Sequence, residues 1–85
     1  MENLEQATQA VTQAVDDNGA ANMNMQAAKQ WLEQEKQTWA GKFGEGSGMV
    51  GLLAAAEAKA EEAASAVAQA GATLEALQEA LETLA

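Results

Sequence analysis

The groups in this chain that could do chemistry are its 13 acidic residues, and some of them come in pairs, such as Asp16-Asp17 and Glu61-Glu62. Paired carboxylates can share acid and base work only when they face each other across a pocket. Neighbours on one helix point apart. Asp16-Asp17-Asn18-Gly19 has the composition of a calcium turn but lacks the alternating ligands and closing Glu of a twelve-residue loop. Gly44-x-Gly46-x-Gly48 could offer backbone N–H groups to a phosphate, yet no strand precedes it and no Gly-Lys-Ser/Thr follows. The chain has no His and no Cys, which removes the commonest general base and metal ligand, disulfides and thiolate sites. We expect no catalytic residue, no metal and no cofactor, and read the acids as a solvated face. The chain is not expected to be an enzyme.

Charge narrows the partners. The formal net charge is −9, with four Lys and no Arg. Nucleic-acid affinity rests on clustered cations against phosphates, so no nucleic-acid partner is expected, and the same sign disfavours anionic lipid surfaces. The longest apolar run, Leu52 to Ala56, is far shorter than a membrane span, so no stable membrane insertion is expected. No basic segment leading into an apolar core is evident near Met1. Export, if it occurs, is expected by a route independent of a Sec signal peptide.

Such a chain must work through its surface, and two long helices set that surface. Five of the seven glycines lie between Gly41 and Gly51, and a helix seldom runs through so many residues that lose this much backbone freedom. The expected layout is a single all-α domain over 1–85: helix 1 at about 3–40, a Gly-rich turn at about 41–51, and helix 2 at about 52–84. Asn3 suits the first N-cap, with Gln6 completing a capping box. Gly41 suits the positive φ that ends helix 1.

Both helices carry a seven-residue repeat. On helix 1 it runs through Leu4, Val11, Asn18, Met25, Leu32 and Trp39, with Ala7, Ala14, Ala21 and Ala28 as a companion row. On helix 2 it runs through Leu53, Ala60, Val67, Leu74 and Leu81, accompanied by Ala56, Ala63, Ala70, Leu77 and Leu84. An antiparallel hairpin that sets Trp39 against Leu53 also sets Leu32 against Ala60, Met25 against Val67 and Asn18 against Leu74. The register closes along helices of roughly 50 Å. Asp16-Asp17-Asn18-Gly19 is turn chemistry and offers a three-helix alternative. The repeat keeps phase across it, which favours a continuous or locally kinked helix with Asn18 as a polar, register-fixing seam residue.

Such a seam leaves apolar groups uncovered. Trp31 falls beside it, and Phe43, Met49, Val50 and Leu52 cluster near the turn. Exposed aromatic and Met side chains mark a contact surface. The Ala-rich second helix and Trp31 together predict that the antiparallel helix-turn-helix dimerises into a four-helix bundle.

The sequence Trp39-Ala40-Gly41 between two helices of about forty residues resembles the WXG-motif family, the early-secreted-antigen type of small helical hairpin exported by type VII (ESX) systems. The resemblance covers size, helix count and the place of Trp-x-Gly at the turn. It implies a secreted, non-enzymatic substrate or escort that forms a homodimer or pairs with a related chain, and meets a component of the secretion machinery. Trp39 and Gly41 are then motif residues. The family's Tyr-x-x-x-Asp/Glu signal has no counterpart, because the chain has no Tyr. Export is then expected in company with a partner that carries it. The alternatives are a cytoplasmic hairpin that serves as adaptor or chaperone for a secreted partner, and a structural subunit of a secretion apparatus.

Overall fold

The computed structural model describes residues 2–85. It contains two helices, α1 (Glu2–Phe43) and α2 (Gly48–Leu84), packed as one extended hairpin. The hairpin is a rod 62 Å long and about 14 Å across, with a radius of gyration of 18.9 Å. A compact chain of this length has a radius near 12 Å. Among the described residues Ala64 alone is buried, at 7% exposure. Two helices touching along a single line cannot enclose a core. Everything else in the seam is half-buried.

The reversal is tighter than the glycines suggest. α1 runs through Gly41 to Phe43, and the positive φ of +87° belongs to Gly44. Gly41 therefore does not open the turn, which corrects the expectation drawn from its place in the sequence. One interior glycine costs a helix only about 1 kcal/mol. The Phe43 ring stacks on Trp39 one turn back, with centroids 5.1 Å apart, and Lys42 complements the dipole in the last turn. Gly44 N–H still donates to Ala40 O at 2.8 Å, and Ser47 N–H donates to Gly44 O at 3.2 Å. Ser47 then caps α2, its hydroxyl accepting from the Val50 N–H at 3.3 Å. Gly48 and Gly51 are thus helical, and the chain reverses in four residues instead of eleven.

α1 is already helical at Glu2, so Asn3 lies inside the first turn and is not the N-cap. The helix continues through Asp16–Gly19, where Gln13 Nε2 donates to Asp17 Oδ1 at 3.0 Å. Asn18 is turned inward. Its Nδ2 donates across the seam to Val67 O at 3.0 Å, and a Cβ added to Gly71 would lie 2.6 Å from Asn18 Oδ1. Gly71 is the notch that receives the amide. The three-helix alternative fails because Asn18, which a turn needs for its own backbone, is used against the other helix.

The principal rows lie where the repeat places them. Leu4, Val11, Asn18, Met25, Leu32 and Trp39 on α1 are half-buried, as are Leu53, Ala60, Val67, Leu74 and Leu81 on α2. The companion row on α2 differs. Ala56 is half-buried as expected, but Ala63, Ala70, Leu77 and Leu84 are exposed, whereas Glu57, Ala64, Gly71 and Gln78 line the seam. Leu77, expected in the seam, is 46% exposed. On α1 the companion row divides: Ala14 and Ala21 are half-buried as expected, Ala7 and Ala28 are exposed, and Thr8, Val15, Lys29 and Lys36 of the next row are half-buried as well. The Asn18–Gly71 notch supplies the reason. Both candidate rows on α2 are rich in small residues, but only the turned orientation brings the missing Cβ of Gly71 under Asn18.

Candidate interaction surface

The closed end of the rod is built by the cap and the stack just described. Trp39 is half-buried, and its ring supports Phe43, which remains 63% exposed. Beginning α2 at Gly48 puts Met49 and Leu52 on the outside, with Leu52 68% exposed, and turns Val50 inward to half-burial. Of the residues expected to form a contact surface, Phe43, Met49 and Leu52 therefore gather around the turn in exposed positions, and Val50 is partly covered. Trp31, 57% exposed, stands apart. It precedes Phe43 by twelve residues, roughly 18 Å along the helix.

One long side of the hairpin is polar. Gln26, Gln30, Glu33 and Gln37 from α1 line an open groove with Glu57 and Glu61 from α2. Lys29 Nζ meets Glu61 Oε2 at 2.8 Å and Lys36 Nζ meets Glu57 Oε1 at 2.8 Å, tying the helices together in antiparallel register. Lys36 also lies 3.4 Å from Glu33 Oε2. Hydrogen bonding to Glu57, then to Glu33, raises the Lys36 ammonium above its ordinary value. Glu33 is held below its ordinary value first by the adjoining Glu57 carboxyl, then by its hydrogen bonds with Lys36 and Gln37. Such solvated pairs contribute little to stability.

The acids expected on a solvated surface mostly lie there, but Glu35 and Glu57 are half-buried, Glu57 in the seam position beside Lys36. The signal was its place four residues after Leu53, which becomes visible once the companion row is shifted. Leu84 and Met23, 71% and 74% exposed, also add apolar surface. Met23 has no apolar repeat around it. Among the described residues no group of three acidic side chains could hold a metal ion, and no helix is long and apolar enough to cross a membrane.

The class that this geometry defines is an all-α helical hairpin with an almost coreless seam, one polar side and apolar groups left in water. Comparison with protein-family models, with curated proteins and with solved structures gives no match.

Proposed function

We propose that the chain is a non-enzymatic interaction protein that acts by pairing its hairpin with another helical hairpin. By its resemblance to the WXG-motif family, we further propose that it is a substrate or escort of a type VII secretion system. The observation that carries the pairing is the contrast between one buried alanine and several exposed large apolar residues, Trp31, Phe43 and Leu52 among them. Monomeric proteins rarely leave long apolar faces in water. The proposed partner is a second copy or a related chain, and the proposed location is extracellular, reached without a Sec signal peptide.

The motif gives the test. Trp39 supports the Phe43 stack, so Trp39→Phe keeps an aromatic at the closed end and should preserve helicity. If Trp39 and Gly41 are read by export machinery, the variant stays folded yet reaches the medium less when co-expressed with partner chains in its native host. Undiminished secretion of folded Trp39→Phe protein removes the motif role and leaves Trp39 as a packing residue. A wild-type chain that remains inside the cell with its partners present favours the cytoplasmic adaptor.

A further inference from the structure

We infer that Asn18-Gly19 is a site of spontaneous covalent modification, deamidation, which the closed seam holds off and an open seam permits. The reaction needs no enzyme and no cofactor. The backbone nitrogen of Gly19 attacks Cγ of Asn18 and gives up its proton, the Cγ–Nδ2 bond breaks, and ammonia leaves a five-membered succinimide behind. Water then opens that ring at either carbonyl and yields aspartate or isoaspartate. The sum is an amide and water going to a carboxylic acid and ammonia. Of the four asparagines only Asn18 precedes a glycine. Asn3, Asn22 and Asn24 precede Leu4, Met23 and Met25, whose side chains obstruct the attack. Nothing lies within 4 Å of the place a Gly19 Cβ would occupy.

In the hairpin the reacting atoms are held apart from both sides. Gly19 lies inside α1, where the helical ladder directs its N–H to the carbonyl four residues back and the ring cannot form at a helical ψ. The Asn18 amide reaches the other way: Nδ2, the leaving atom, donates to Val67 O at 3.0 Å, and Oδ1 sits over Gly71. This lock has little reinforcement. Asp16, Asp17, Asn18 and Gly19 are four poor helix formers in succession. The cross-helix ion pairs, Lys29–Glu61 and Lys36–Glu57, both lie on the turn side of Asn18. In the half of the rod away from the turn, the Asn18–Val67 bond is the one side-chain hydrogen bond or ion pair between the helices among the described residues. Local opening draws on such segments. Neither product fits back into the notch. The donor is gone, and a carboxylate would meet the Val67 carbonyl as acceptor against acceptor, beside Asp16 and Asp17. Isoaspartate also adds a methylene to the main chain and interrupts the ladder of α1. Time spent open thus becomes a permanent loss of the closed hairpin.

The experiment is peptide mapping by mass spectrometry of the full chain incubated at neutral pH and physiological temperature, folded in buffer and unfolded in urea. Asn22 and Asn24 serve as internal references. In urea Asn18 should convert well ahead of both. Folding should slow its conversion by about tenfold or more, the factor by which an opening of even modest cost reduces the open population. Gly71→Ala crowds the amide out of its notch; it should speed conversion in the folded chain by about fivefold or more and leave the rate in urea unchanged. Asn18→Asp, the simpler product, should melt below wild type at the same protein concentration. No conversion of Asn18 in urea, or conversion of Asn22 or Asn24 as fast, overturns the site. Equal wild-type rates in buffer and urea overturn protection by the seam, a result that stands even if Gly71→Ala fails to fold. A folded Gly71→Ala chain with the wild-type rate overturns the part given to the notch. An Asn18→Asp chain as stable as wild type overturns the permanent loss of closure.

Discussion

Replacing Gly71 by Ala tests whether the Asn18 notch sets the hairpin. In an ordinary helix interior this change stabilises by about 1 kcal/mol, because Gly gives up more backbone freedom on folding. Here the new Cβ would stand 2.6 Å from Asn18 Oδ1, closer than any real contact. The amide must swing away, breaking its bond to Val67 O. A lost hydrogen bond costs about 0.5–1.5 kcal/mol, and crowding a packed helix contact adds about 1–3 kcal/mol. Cost exceeds gain, so Gly71→Ala should destabilise by about 1–2 kcal/mol. In an Asn18→Ala background the obstacle is gone, and the same substitution should stabilise by up to about 1 kcal/mol. The sign reverses, with a coupling of about 2 kcal/mol, inside the range for residues in contact. Urea unfolding of the four proteins, all at one protein concentration, measures it. Equal stabilisation by Gly71→Ala in both backgrounds would show that Asn18 does not occupy the notch.

Three further outcomes follow from the same structure. Gly41 is helical with open space around its Cβ direction, whereas Gly44 has φ +87°; in thermal melts Gly41→Ala should stabilise by up to about 1 kcal/mol and Gly44→Ala should destabilise by about that much. Secretion lost in the stabilised Gly41→Ala protein would mark Gly41 as a recognition residue. Ala64→Leu overpacks the one buried position and should destabilise by about 1–3 kcal/mol, while Ala63→Leu, at an exposed position, should not; the reverse order in denaturant unfolding would restore the unshifted companion row. The Lys36 cluster has a signed pH dependence. Lys36 is raised above 10.5, so its contribution is full below 10.5 and fades as pH rises through the folded value. Glu33 is lowered below 4.5, so its contribution is full above 4.5 and fades as pH falls through the folded value. The stability difference between wild type and Lys36→Met should therefore be flat between those limits and shrink beyond them.

The hairpin and its principal seam were legible in the sequence because two seven-residue repeats closed one antiparallel register. The cluster of glycines marked where the chain turns. It did not say which glycine turns it, since a stacked Trp39–Phe43 pair carries α1 past Gly41 and a Ser47 cap draws Gly48 into α2. Trp31 was readable as an exposed residue because it falls outside the principal row. Leu77 was not, because the rows three and four residues after the principal one are both rich in small residues and periodicity cannot choose between them. That choice belongs to the tertiary structure. A single cross-helix fit, the Asn18 amide into the space left by the absent Cβ of Gly71, rotates α2 so that Ala64 is buried and Leu77 faces water. It thereby decides which side of the rod is polar and which is apolar. The sequence by itself determined that there are two helices and how they align end to end. Rotation about a helix axis depends on contacts between residues some fifty positions apart, and only the folded pair brings those together.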